Sequence, residues 1–321
     1  MNLFDMSLEE MKNFKPEQTR KKDFNQFWSD TLEKSNNQPL NAKILDVDYP
    51  VDKAKVYDIY FDGFENSRIY GRYILPDDAS KNNPVPVIVM FHGYNYNNIV
   101  VSSVLHYILM GYAVLIMDVR GQNVKSPDHN NYENGGPSGW MTNGILNHYN
   151  YYYRFVYMDC VRAVELMKNR TEIDSTRIAV EGGSQGGGLS LAVSALSEEV
   201  KVIMADIPYL CYFKRSVELY DGSPYNEIYH YFKVHDSLHK TEEQVYRTLS
   251  YFDNINLASQ IKGKVLVSVG LEDMVCPPST AFAAYNHMNT EKDIKVYPEF
   301  GHGGFTQHNE EKIKFLKKHF K

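Results

Sequence analysis

Ser184 sits within Gly182-Gly-Ser-Gln-Gly186, a G-x-S-x-G run. The short apolar segment Ile178 to Val180 precedes it and the apolar, helix-like stretch Leu189 to Leu196 follows. Glycines at the outer positions let a strand turn sharply into a helix, which leaves the serine hydroxyl exposed above the sheet. A helix start beside that hydroxyl adds partial positive charge, which favours a developing anion. The spacing therefore predicts a nucleophilic serine. A glycine-rich turn with an incidental serine is the competing reading of the bare motif, and the flanking strand and helix weigh against it. A phosphate loop is not expected, because no Gly-Lys-Ser/Thr follows and the G-x-G-x-x-G spacing is missing.

A serine hydroxyl is a weak nucleophile and needs a base within hydrogen-bond reach. The elbow architecture orders its partners as Ser, acid, His. His302, in Glu299-Phe-Gly-His-Gly-Gly304, follows the last expected strand, and its flanking glycines free the loop to present it. His287, His308 and His319 lie in helical patterns and are expected to be solvated. For the acid, Asp273 follows an apolar strand and is favoured, with Asp206 and Glu272 as competitors. A second idea pairs Asp206 with Arg120 instead. The oxyanion of an acyl-transfer intermediate needs main-chain N–H donors, one of them from the residue after the nucleophile. That residue is Gln185, and Tyr94, in the turn after the strand ending at Phe91, is the second candidate. His92 reads as structural, since it precedes a glycine turn.

The chain has 321 residues, 43% of them hydrophobic, enough for a full α/β core. A net charge of −6 argues against nucleic-acid binding. The three cysteines, Cys160, Cys211 and Cys276, lack metal-ligand spacing and suit buried thiols in a reducing compartment. The eleven histidines include no H-E-x-x-H, so neither a metal nor another cofactor is expected. Met1 to Lys22 lacks the unbroken apolar centre of a secretory signal, and no apolar run approaches bilayer length. A cytoplasmic protein without membrane association is expected.

These residues need a scaffold. Ser7 to Asn13 and Thr19 to Lys34 have helical spacing, the latter with Phe24, Phe27, Trp28 and Leu32 on one face. Lys43 to Val47, Val56 to Phe61 and Arg68 to Leu75 read as strands of an antiparallel opening. From Pro86 the pattern alternates. Strands are expected at Val87 to Phe91, Ala113 to Met117, Ile178 to Val180, Val200 to Met204, Lys264 to Val269 and Ile294 to Tyr297. Helices are expected at Val100 to Met110, Phe155 to Lys168, after Ser184, and at Gly304 to Phe320. Apolar strands without alternation imply parallel neighbours buried on both faces. The fold class is α/β, a mainly parallel central sheet with helices on both faces. Residues 1–321 are taken as a single domain, with a helical arm over 1–40 and a helical insertion over 209–251. Gln122 to Asn150 reads as a long polar loop.

The chain resembles the acetylxylan esterases and cephalosporin-C deacetylases of carbohydrate esterase family 7. The matching motifs are Arg120-Gly-Gln122, Gly182-Gly-Ser-Gln-Gly-Gly187 and Asp273-Met-Val-Cys-Pro-Pro-Ser-Thr280, continuing into Ala281-Phe-Ala-Ala-Tyr-Asn286. Gly139-Trp-Met-Thr-Asn-Gly-Ile145 and Tyr151-Tyr-Tyr-Arg154 are similar as well. The likeness runs over nearly the whole chain, and these segments are more specific than the elbow. It implies an α/β-hydrolase fold and a serine esterase that deacetylates small acetylated sugars and cephalosporin C. It also implies Ser184 as nucleophile, His302 as base, Asp273 as orienting acid, and the Tyr94 and Gln185 amides as oxyanion donors, with Tyr94 also binding substrate. A ring-shaped homohexamer with active sites facing an internal cavity is implied too. The chain departs from the family pattern at Gly303, where Glu is usual, and at Asn123, where Gly is usual. A general short-chain carboxylesterase or peptidase is the alternative enzyme reading. A catalytically silent binding protein is the non-enzymatic one, which the presence of all three triad residues disfavours.

Overall fold

Alternate residues of the apolar strands serve opposite faces of one sheet, so each strand needs cover on both sides. The computed structural model describes residues 5–65, 67–96, 100–133, 139–219 and 224–320. Its strands are β1 (Lys43–Val47), β2 (Ala54–Asp62), β3 (Arg68–Pro76), β4 (Val85–Phe91), β5 (Ala113–Met117), β6 (Ile173–Gly183), β7 (Val200–Asp206), β8 (Lys264–Gly270) and β9 (Lys292–Tyr297). Among the described residues they form a nine-stranded sheet in the order β1-β2-β3-β5-β4-β6-β7-β8-β9. The β1, β2, β3 and β5 neighbours pair antiparallel, and every pair from β5 across to β9 is parallel. The α/β-hydrolase expectation is met, with the antiparallel opening where the turn signals put it.

The helices are α1 (Leu8–Asn13), α2 (Phe24–Asn36), α3 (Leu105–Leu109), α4 (Tyr152–Lys168), α5 (Gln185–Leu196), α6 (Phe213–Leu219), α7 (Asn226–His235), α8 (Glu242–Ser250), α9 (Asn254–Leu257), α10 (Pro278–His287) and α11 (His308–His319). Val87, Val89 and Phe91 of β4 join the larger core with α2, α4, α5 and α10, while Ile88 joins the smaller one with α3 and α11. Fully burying such side chains contributes about 1.5–3 kcal/mol each. Ser7 caps α1 in a capping box with Glu10. The arm docks through Phe24, Phe27 and Trp28, whose indole N–H donates to the Tyr251 carbonyl (3.1 Å).

Two element expectations change, and one helix appears that the pattern did not predict. The helix sought over 100–110 is a 3-10 turn, Val101–Val104, followed by the single short helix α3. Val100, Val101 and Val104 are poor helix formers, and the Ser103 hydroxyl donates to the Val100 carbonyl instead of leaving it to the helix ladder. The terminal helix begins at His308, because Gly303 and Gly304 hold φ of +102° and +81°. The Pro277-Pro278 pair opens α10, where a proline in the first turn lacks an N–H that the helix could not have used. Among the described residues of 122–150 there is no helix or strand, as a long loop requires, and 209–251 holds α6, α7 and α8. No described helix is long and apolar enough to cross a membrane.

Candidate active site

Ser184 occupies the turn between β6 and α5 with φ +56° and ψ −117°, a conformation that costs a non-glycine residue about 1–3 kcal/mol. Its surroundings hold it there. The Ser184 N–H donates to the Asp206 carbonyl (2.9 Å), and its own carbonyl accepts from Gly188 (3.0 Å) and Tyr209 (2.9 Å). A Cβ on Gly186 would overlap the Phe91 carbonyl oxygen, and one on Gly182 would run into Gly186. The two motif glycines are thus demanded by close backbone approach, and the serine remains half-exposed.

Asp273 follows β8 and is buried, and its Oδ1 accepts the N–H groups of Val275 and Cys276 (2.8 Å each). The imidazole of His302, after β9, lies against it, Nδ1 being 2.8 Å from Oδ2 and 3.1 Å from Oδ1. A carboxylate beside Nδ1 assigns the proton to that nitrogen and leaves Nε2 as the basic one. The Cys276 thiol, pushed far up by burial, packs against the Ser184 hydroxyl, so one residue touches both the serine and the acid's loop. β6, β8 and β9 run parallel, which sets all three groups at the same edge of the sheet.

The other acids go elsewhere. Glu272 is exposed. Asp206 accepts from Ser268 (2.9 Å), His308 (2.6 Å) and Lys312 (3.1 Å). The proposed Asp206–Arg120 pair does not form. Arg120 is wholly buried and makes a two-pronged bond to Asp159 (2.6 and 2.7 Å), because α4 rather than β7 faces it. Nor are the helical histidines solvated. His308 is buried between Asp206 and the Tyr297 hydroxyl, His287 lies against the Pro16 carbonyl, and the His319 side chain is 9% exposed. α11 packs its first turn onto the sheet, which its polar sequence concealed.

One side-chain network ties the turns that carry the two oxyanion candidates together. Gln122 and Gln185 exchange amide bonds (2.8 and 3.0 Å), Tyr153 donates to Gln185 Oε1 (2.9 Å), and Asn95 N–H donates to Gln122 Oε1 (3.0 Å). Among the described residues, the main-chain N–H groups of Tyr94 and Gln185 donate to no protein acceptor. His92 accepts the Val119 N–H at Nε2 (2.9 Å), so its Nδ1–H donates to the Gly93 carbonyl (2.7 Å) and the ring is neutral and structural. Gln122, Tyr153 and Glu227 have roles here that the sequence patterns did not assign. The Arg-Gly-Gln and Tyr-Tyr-Tyr-Arg motifs were the available signal for the first two, and nothing local marked the third.

A mainly parallel sheet with a serine on a strained strand-to-helix turn, beside an aspartate–histidine pair from neighbouring strand ends, is the layout of an α/β-hydrolase. Residues 1–319 match the family model described as Acetyl xylan esterase (AXE1). The chain is 44% identical to the acetyl xylan esterase from Paenibacillus sp. R4, with a TM-score of 0.95 over 98% of this chain and 100% of that one. Acetyl xylan esterase 1 from Thermoanaerobacterium sp. JW/SL YS485 superposes with a TM-score of 0.94 at 34% identity, over 99% of this chain and 100% of the other. The acetyl esterase Axe7A of Xylanibacter ruminicola is 28% identical, covering 96% of this chain and 69% of that protein. The chain belongs to the acetyl xylan esterase family and is a serine-type carboxylic ester hydrolase.

Proposed function

We propose that this protein removes acetyl groups from small acetylated sugars, acetylated xylo-oligosaccharides first among them, and from cephalosporin C, through an acetyl-Ser184 intermediate. His302 Nε2 takes the Ser184 proton as the hydroxyl attacks the ester carbonyl. The tetrahedral oxyanion is met by the Tyr94 and Gln185 N–H groups. His302 then protonates the departing sugar alcohol, and water, deprotonated by the same nitrogen, releases acetate and regenerates the serine. Asp273 holds the ring oriented and stabilises its charged form. The observation that carries this reading is the 2.8 Å Asp273–His302 hydrogen bond at the strand edge that bears the strained Ser184 turn.

Tyr94, Trp140 and Tyr209 have ring centroids 5.2 and 6.1 Å apart beside the elbow, crowding that suits a short acyl chain. The protein is further read as a cytoplasmic homohexamer that needs no cofactor and binds neither nucleic acid nor membrane. The deciding experiment is a panel of acetylated xylo-oligosaccharides, cephalosporin C and nitrophenyl esters of rising chain length. Preference for acetyl over butyryl esters, with turnover of both natural classes, is expected. Faster turnover of long esters, or of peptides, would overturn the deacetylase reading.

A further inference from the structure

We propose that Glu227, on the insertion helix α7, is a positioning residue that holds the oxyanion donor Tyr94 in place. The inference rests on the acyl-transfer reading above and adds the part of the molecule that sets its geometry.

The Tyr94 hydroxyl donates to Glu227 Oε1 (2.6 Å) and accepts from the Trp140 N–H (2.8 Å). Glu227 Oε2 accepts from the Met141 N–H (2.9 Å). Gly139 lies so close that a Cβ there would overlap the Glu227 carboxylate. Three distant stretches of chain, at 94, at 139–141 and on α7, therefore meet at one carboxylate. The Tyr94 ring also packs edge-on against Trp140, at 5.2 Å and 74°. An oxyanion donor works only when held within about 0.5 Å of its productive place. A phenol pinned at its far end as both donor and acceptor loses freedom at χ1 and χ2, and its own main-chain N–H is fixed with it.

Both Glu227 oxygens are already committed to donors, which removes it as a general acid or base toward substrate. Burial pushes its carboxyl up, while the bonds from Tyr94 and Met141 act in the opposite sense. A partly buried side chain satisfied at both oxygens is a framework element. What makes it functional is the residue it holds.

The oxyanion forms only in the transition state, so loosening Tyr94 should lower kcat and leave KM nearly unchanged. Glu227→Gln keeps the shape but leaves one of the N–H or O–H donors facing an amide NH2. With nitrophenyl acetate, kcat is expected to fall about 10–100-fold, less than the loss of a whole oxyanion donor. KM should change by less than about threefold. Affinity for phenylboronic acid, which forms a tetrahedral adduct on the serine, should weaken in parallel. Tyr94→Phe, which removes only the hydroxyl, should behave alike, and the double variant should be no worse than either single one. Losses that multiply, a rise in KM at constant kcat, or unaltered boronate affinity would overturn the proposal. Should Glu227→Gln fail to fold, Tyr94→Phe with unchanged kcat would overturn it instead. A wild-type protein that neither hydrolyses the ester nor binds the boronate would refute the underlying acyl-transfer reading, a result separable from any failure in the variants.

Discussion

At Ser184 the backbone is strained and held by contacts from three directions, and the chemistry depends on that turn surviving. Replacing Gly186 by alanine would drive a methyl group into the Phe91 carbonyl. Gly186→Ala is therefore expected to abolish ester hydrolysis and to lower the thermal midpoint, both measurable on purified protein. Ser184→Ala should leave the fold unchanged and lower turnover by about a millionfold, the scale found for another serine–histidine–aspartate enzyme. Full activity in that variant would remove Ser184 from the mechanism. The two aspartates make opposite predictions. Asp273→Asn alters the group that fixes the His302 tautomer and should lower kcat by about 10⁴. Asp206→Asn should retain far more activity, since its carboxylate serves Lys312 and His308. Equal losses in steady-state rate would mean the acid has been misassigned.

Helix α11 is clamped to the sheet by buried charge. Lys312 reaches Glu181 Oε1 (2.6 Å) on β6 and Asp206 Oδ2 (3.1 Å) on β7, and the Tyr107 hydroxyl donates to Glu181 Oε2 (2.7 Å). Burial by itself would raise the Asp206 carboxyl, but Lys312, His308 and Ser268 outweigh it and hold it at about 2. Removing one partner of such a group strands the others, so Lys312→Ala should cost about 3–5 kcal/mol in urea unfolding. The sign of the pH effect follows from the depressed carboxyl. An unfolded aspartate titrates near 3.9. The contribution of Asp206 is therefore whole above about pH 4 and is lost as pH falls toward 2. Unfolding free energies at pH 5 and pH 2.5 should differ less in Asp206→Asn than in the wild type. An identical acid loss in both would deny Asp206 this role.

For the molecule as a whole, Trp140 of the long loop and Glu227 of helix α7 both reach Tyr94, at the turn next to the one that carries Ser184. A homohexamer predicts a mass about six times the 37.1 kDa chain in light scattering, and a monomer at working concentration would end that proposal. The central strands β4, β5, β7 and β8 were legible in sequence because each is a short apolar run, and burial on both faces leaves little else for such a run to become. Helix ends were less legible: the valines and serines of 100–104 and the paired glycines at 303–304 act through local propensity that a hydrophobic pattern does not display. The site was legible in part. The elbow announces itself within five residues, whereas Asp206 and Asp273 both follow apolar strands and look alike along the chain.

The α/β alternation, the glycine-bounded serine, the candidate histidine and the family likeness can all be read along the chain, because each is written in neighbouring residues or short motifs. Tertiary structure decided which acid serves His302. The histidine loop leaves β9, whose only partner strand among the described residues is β8, so it meets Asp273, while Asp206 on β7 is taken by α11. It also decided that Arg120 belongs to Asp159 and that Glu227 belongs to Tyr94, 133 residues away. Hydrogen bonds between residues so far apart leave no period or spacing in the chain, and only the packing of helices onto the sheet brings them within reach.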